Sequence, residues 1–257
     1  ALLCKKLGIR FIFASSCSVY GIGEKHYLTE SSKTNPKTHY SLNKLQIEED
    51  LVSISDHDFS PIALRFATIF GLSPRIRFDV VINMLVGMAV SKREIVLNSD
   101  GKAWRPNLHI LDACEAVLCA IELKYDAPEL MVLNVGADEN NLQVIKIAEI
   151  IQKLVHKSEL KFLYENPELD KEGLILDRKI NQGSDTRTYK VSFEKLKSVM
   201  PAFNCNWSME KGIQNMVEGL IKLSFVEETF KRREFYRLQR LEDLYDEKKI
   251  SNDLRWK

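Results

Sequence analysis

The sequence predicts an α/β protein built on a parallel sheet. Short apolar runs recur at 9–15, 61–71 and 131–137, each of strand length and each bounded by glycine, proline or small polar residues. Between them lie stretches with apolar residues at helical spacing, and strand and helix patterns alternate along the chain. No internal repeat, Gly/Ser linker or low-complexity segment interrupts that alternation. Runs that are apolar on both faces are those of strands covered on both sides, as in parallel sheets.

The first eight residues, ALLCKKLG, read as the last turns of a helix closed by Gly8, so the sequence is expected to open inside a domain. IRFIFAS at 9–15 is a buried strand that feeds the small polar cluster Ser15, Ser16, Cys17 and Ser18. Loops at the carboxyl ends of such strands hold sites. Residues 21–38 lack periodicity and form a loop. A helix follows over 40–54, and 61–71 is a second buried strand punctuated by Pro61 and Gly71.

Further on, a helix is expected over 78–92, short strands at 94–99 and 104–110, and a helix over 112–124 with Asp112 near its cap. A strand at 131–137, an amphipathic helix at 142–155, strands at 160–166 and 188–192 and a helix at 193–200 complete the alternation. Trp207 and Ser208 open a helical tail. Its charged continuation over 230–249 is read as one helix that packs on the body or joins two copies as a homodimer, and its charge run as a solvated face.

Bulk properties narrow the function classes. With 45% hydrophobic and 28% charged residues among 257, the composition is globular. Lys plus Arg number 37 against 36 Asp plus Glu, so a net charge of +1 supplies no global field for nucleic acid or an acidic membrane, and neither is expected as a partner. The five cysteines, Cys4, Cys17, Cys114, Cys119 and Cys205, form no CxxC pair and lie mostly in apolar runs. Reduced, buried thiols and a cytoplasmic setting follow, and no metal site is expected. The longest nearly uncharged stretch, 80–91, is well short of the roughly 20 residues a membrane span requires.

The chemistry is carried by Tyr40 and Lys44. Four residues apart on a helix, they share one face. A tyrosine hydroxyl is a poor base near neutral pH, and a neighbouring ammonium favours the phenolate and turns it into a proton shuttle. Such pairs also arise by chance on surface helices. The company of SSCSVYG at 15–21, directly after a buried strand, brings two polar segments to one site.

At this point the sequence resembles the extended short-chain dehydrogenase/reductases, the family of UDP-galactose 4-epimerase and the nucleotide-sugar dehydratases. The resemblance rests on SSCSVYG followed by Tyr-x-x-x-Lys, and continues in order through LRFATIFG at 64–71, WRPNLHILD at 104–112, LNVG at 133–136 and SDTRTYKVS at 184–192. It implies a Rossmann-like doubly wound parallel sheet, a smaller α+β substrate-binding region and a helical carboxyl tail. On that template, 1–71 is the carboxyl-terminal part of the Rossmann domain, 72–225 the substrate region interleaved with the last Rossmann elements, and 226–257 the tail.

The same resemblance implies roles. Tyr40 is the acid/base, Lys44 bonds the nicotinamide ribose and holds the tyrosine's charge state, and Ser16 hydrogen-bonds the reacting oxygen. Ser15 and Phe66 join Tyr40 and Lys44 at the cofactor, which is NAD, with NADP as the alternative. Ser18, Thr68, Arg77, Arg105, Arg187 and Tyr189 fall at substrate positions, the arginines suited to gripping a diphosphate. Arg75 is an additional candidate, Gln182 stands where the epimerases carry a second arginine, and His109 supports the fold. For Phe66, Thr68 and Tyr189, ordinary packing is an equal reading.

Departures from the pattern bound the expectation. No GxxGxxG or GxGxxG occurs, so the backbone cradle that a dinucleotide's pyrophosphate requires is missing, and a fragment lacking the first half of its sheet is expected. Cys17 and Ser18 stand where the 4,6-dehydratases carry an Asp-Glu pair, which argues against elimination of water. Cys17 is one place from the reactive cysteine of the fucose synthase branch and reads as inert. An NAD(P)-dependent nucleotide-sugar epimerase is therefore expected. The alternatives are an NADP-dependent ketosugar reductase and a non-catalytic binding relative.

Overall fold

The computed structural model describes residues 1–23, 26–125, 127–163 and 188–257 and divides into two compact units. The first comprises Ala1–Phe70, Lys102–Val144 and Asp185–Gly212, the second Gly71–Gly101, Ile145–Ser184 and Ile213–Lys257.

The first unit is organised by the parallel strands β1 (Ile12–Ser16), β3 (Ile62–Phe66) and β7 (Met131–Val135), with β3 central. Every residue of β3 is buried, which explains its unbroken apolar run and makes Arg65 the exception to be accounted for. The register sets Ser16, Phe66 and Val135 level at the carboxyl ends of the three strands. The core beneath them holds Val19, Tyr20, Leu64, Leu133 and Phe193.

The run over 61–71, expected as one strand, is two. Ala67 donates its amide to the Val135 carbonyl at 2.9 Å, and the chain then leaves as β4 (Thr68–Phe70) for a second sheet. There β4 pairs in parallel with β6 (Trp104–His109), and β6 pairs antiparallel with β8 (Asn141–Gln143). A two-residue parallel pair, β2 (Tyr27–Leu28) with β10 (Lys190–Val191), completes the strands of this unit among the described residues.

Its helices follow local signals with one correction. In α1 (Leu2–Lys6) the chain turns out through Gly8, whose φ of 64° lies in the left-handed region. Helix α2 (His39–Ile54) starts from a capping box in which the Thr38 hydroxyl accepts the Ser41 amide and the Ser41 side chain takes the Thr38 amide. Helix α4 (Ile110–Glu122) begins two residues ahead of expectation with His109 at its cap. Asp112 lies inside the first turn, and its carboxylate accepts the amides of Asn206 and Trp207 at 3.0 and 3.1 Å, tying down the approach to α7 (Met209–Lys222). Helix α6 (Glu194–Val199) closes the unit's count of described helices.

In the second unit, β5 (Glu94–Leu97) pairs in parallel with β9 (Glu159–Phe162), and the helix expected over 142–155 forms as α5 (Val144–Leu154). Helix α3 (Val81–Lys92) starts three residues later than expected, because Phe78 is drawn into an aromatic cluster, 5.1, 5.3 and 5.5 Å from the rings of Phe225, Phe230 and Phe235. The charged tail, expected as one helix, is broken into α8 (Glu227–Phe230), a 3₁₀ turn over Arg233–Phe235 and α9 (Arg237–Asp246). Burial decides this. Phe230 and Tyr236 are enclosed, and the Tyr236 hydroxyl donates to the Phe230 carbonyl at 2.9 Å, a bond a straight helix would not allow.

The five cysteines are free thiols, but the expectation of burial holds only at Cys17: Cys4, Cys119 and Cys205 are half-buried and Cys114 is exposed on α4. Among the described residues, no helix is long and apolar enough to cross a membrane.

Candidate active site

The residues singled out in the first unit gather where β1 and β3 end. Ser16, the last residue of β1, accepts the Ser18 amide on its hydroxyl at 3.2 Å, and this bond opens the 3₁₀ turn Cys17–Tyr20. Gly21 closes the turn with a φ of 71°, and a side chain there would meet the Asn35 carbonyl oxygen at 1.8 Å, so only glycine fits. The Ser18 hydroxyl oxygen is buried and has no hydrogen-bond partner among the described residues. Cys17 is buried, its thiol set against the Arg65 carbonyl at 3.0 Å, and burial pushes its ionisation far above the ordinary thiol range. A thiol so held is a poor nucleophile.

Helix α2 carries Tyr40 and Lys44 one turn apart. The Lys44 ammonium donates to the Ala14 carbonyl of β1 at 2.6 Å and lies over two rings, 4.7 Å from the centre of Phe13 and 5.5 Å from that of Tyr40. Desolvation in this setting lowers the Lys44 pKa from the ordinary lysine value. Tyr40 is 55% exposed, so an incoming molecule can reach its hydroxyl side.

A buried polar network behind these residues was not anticipated from the sequence. Glu48, a further turn along α2, receives Arg65 Nε at 3.0 and 3.1 Å and an Arg65 terminal nitrogen at 2.6 Å, and also accepts the Ser15 hydroxyl. The second terminal nitrogen of Arg65 donates to the Tyr20 hydroxyl at 3.0 Å, which donates onward to Asn134 Oδ1 at 2.7 Å. Burial works against the Arg65 charge, and the bonds to Glu48 and Tyr20 more than offset it, holding the guanidinium fully ionised. One signal for this network was available: an arginine inside an otherwise apolar strand requires a buried anion, and Glu48 continues the Tyr40, Lys44 stripe at the same spacing.

The other candidate residues are distributed as follows. Phe66 is buried at the end of β3 and level with Ser16, and Thr68 is half-buried on β4. The Arg105 guanidinium lies 5.8 Å from the centre of the buried Tyr189 ring and donates to the Trp104 carbonyl at 2.9 Å. Arg77 belongs to the second unit, where it grips Asp79 through two bonds of 2.7 and 2.9 Å. Arg75 is exposed in that unit. Arg187 and Gln182 lie outside the described residues. Among the described residues, no cluster of His, Cys, Asp and Glu is arranged to hold a metal.

His109 is a fold element with a pH signature. Its ring stacks on Trp207 at 4.2 Å and meets Phe70 edge-on at 5.4 Å, its Nδ1 accepts the Leu111 amide at 3.4 Å, and its Nε2 is buried without a partner among the described residues. Burial, with a contribution from Lys211, lowers its pKa to about 4. The unfolded chain therefore binds this proton first, and stability falls as pH drops from about 6.5 towards 4, by up to ~3 kcal/mol. Urea unfolding across that window is expected to lose this part of its slope in His109→Gln. An unchanged slope would mean that His109 is protonated or solvated in the native state.

The profile of the NAD dependent epimerase/dehydratase family matches residues 2–136. UDP-glucuronic acid decarboxylase 1 of Arabidopsis thaliana is 23% identical over 227 residues, covering 84% of this chain and 46% of its own length. UDP-glucose 4-epimerase of Bacillus subtilis is 26% identical over 171 residues, 58% of this chain and 50% of its own. The chain spans about half the length of the curated relatives it matches. Among solved structures, UDP-glucuronic acid 4-epimerase from Bacillus cereus, in complex with UDP-glucuronic acid and NAD, superimposes with a TM-score of 0.68 at 22% identity, covering 86% of this chain and 64% of that one. The dTDP-glucose 4,6-dehydratase from Bacillus anthracis, in complex with NAD, gives 0.68 at 21% identity, covering 93% and 67%. These superpositions establish a shared Rossmann-type α/β fold.

Proposed function

The chain belongs to the NAD dependent epimerase/dehydratase family, and from that premise we propose that the protein epimerises a nucleotide-diphosphate sugar by transient oxidation of a sugar hydroxyl. The observation that carries the reading is the Lys44 ammonium set between the Tyr40 ring and the Ala14 carbonyl, two residues before Ser16. Tyr40 takes the hydroxyl proton and returns it. Lys44 supports the tyrosine's charge, and Ser16 donates to the oxygen that becomes a carbonyl. Several relatives are named for UDP-sugars, which supports that substrate class.

The residues present fit the nicotinamide end of NAD. The level row of Ser16, Phe66 and Val135 closes the carboxyl edge of a parallel sheet, where such sites form, and Lys44 stands beside it with a strong donor. A nicotinamide held there would supply the acceptor, and later the donor, of the hydride from the sugar carbon. The pyrophosphate cradle has no counterpart in the sequence, so these residues account for one end of the cofactor only. On the substrate side, Ser18, Thr68, Arg105 and Tyr189 of the first unit are the proposed contacts, with Arg187 as a further diphosphate ligand. Arg77, of the second unit, has its Nε and one terminal nitrogen committed to Asp79.

The test is to supply NAD with UDP-glucose, UDP-galactose or UDP-glucuronic acid and follow the sugars by NMR. Interconversion of epimers with no net change in reduced-nicotinamide absorbance is the expected result. Stoichiometric consumption of reduced cofactor would replace the epimerase by the reductase reading. Loss of carbon dioxide from the uronic acid would place the protein with its decarboxylase relatives. No turnover with any of the three would overturn the reading.

A further inference from the structure

We propose that the buried Glu48–Arg65 pair is a positioning unit that sets the register of α2 and of the Cys17–Tyr20 turn on the sheet, and so aims Lys44 and Ser16. As far as turnover is concerned, this rests on the function proposed above. The geometric part stands by itself.

Helix α2 touches β1 through two polar ties at adjacent residues. Lys44 donates to the Ala14 carbonyl, and one turn later Glu48 accepts the Ser15 hydroxyl. A helix held at two consecutive points of one strand can neither rotate nor slide along it without breaking one of them. Glu48 is fixed in turn by three bonds from Arg65 on the neighbouring strand β3. Arg65 also reaches the turn that follows Ser16, through Tyr20, whose hydroxyl is anchored on Asn134 of β7. One guanidinium therefore references the lysine-bearing helix and the serine-bearing turn to all three strands of the sheet.

Stability alone does not require such a device. A buried ion pair loses hydration that its mutual attraction barely restores, and apolar side chains of similar volume are often as stabilising in its place. Apolar contacts are non-directional, whereas a fork gripping a carboxylate fixes both distance and angle. What the pair adds is placement of the groups next to it. Glu48 and Arg65 are accordingly positioning residues, acting through Lys44 and Ser16.

The experiment compares wild type with the volume-matched apolar double variant Arg65→Met/Glu48→Leu, using ¹³C-labelled lysine to follow the Lys44 titration by NMR. In the folded double variant Lys44 is expected to titrate higher than in wild type, towards an ordinary lysine, as its seat on Ala14 and between the rings loosens. Turnover is expected to fall roughly 100-fold in kcat, the effect of an ångström-scale misplacement, with KM for the UDP-sugar within about twofold. A folded double variant that keeps both the wild-type Lys44 titration and the wild-type kcat overturns the proposal. Should the double variant not fold, Glu48→Gln, which keeps the shape and a hydrogen bond to Ser15, decides the matter by the same two readings. If the wild type turns over no sugar, the proposed function fails, while the Lys44 titration still tests the positioning: an upward move supports it and an unmoved titration rejects it.

Discussion

Tyr40→Phe is expected to lower kcat by roughly 10²–10⁴-fold, the contribution of a positioned acid/base, while leaving the fold intact. The substitution removes one oxygen and nothing else. Tyr40 is more than half exposed, so its hydroxyl is not a structural bond whose loss would unfold the helix, and stability should stay within about 0.5 kcal/mol of wild type. The phenyl ring remains for the Lys44 ammonium, which lies 5.5 Å from the ring centre, so the lysine keeps its place. Steady-state rates beside thermal unfolding of the same preparation check the prediction. A variant that melts like wild type and turns over like wild type would remove Tyr40 from the chemistry and leave Lys44 without its proposed purpose.

How much of this site was legible in the sequence depends on the range of the interaction concerned. The Tyr40 and Lys44 pair is a local fact of helical spacing and was visible, whereas the Thr38 and Ser41 box that starts their helix, although equally local, was not read from the sequence. The polar turn after β1 was readable because a buried strand must end where small polar residues begin. The break at Ala67 was hidden, since apolar residues continue on both sides of it and only the bond to Val135, a partner remote in sequence, divides the run. The cap of α4 was misplaced because an imidazole does there what Asp, Ser or Thr commonly does, and Asp112 is claimed by Asn206 and Trp207. The tail broke where buried aromatics overrode helical periodicity. Arg65 is an oddity in an apolar strand that the sequence reading passed over, and its partner was a matter of tertiary pairing that one sequence does not reveal.

That pairing supplies the largest stability effect expected in the protein. Arg65→Met alone should cost about 3–5 kcal/mol, and Glu48→Leu alone a similar amount, because each strands the opposite charge in a site whose side chains are 6% and 5% exposed. The Glu48 carboxylate would keep only the Ser15 hydroxyl of its present donors, and the Tyr20 hydroxyl would lose the Arg65 nitrogen that it accepts. Combining the two changes removes both charges at once. The remaining penalty is two hydroxyls short of a partner, about 1 kcal/mol each, so the double variant should lie nearer wild type than either single one. Urea unfolding of the four proteins gives the coupling directly. Additive single effects would show that neither charge depends on the other and that the bonds between them carry little. Strong coupling, with a stable double variant whose Lys44 has nevertheless shifted, would separate what holds the first unit together from what aims its lysine: burial suffices for the former, and the latter requires the directional grip of Arg65 on Glu48.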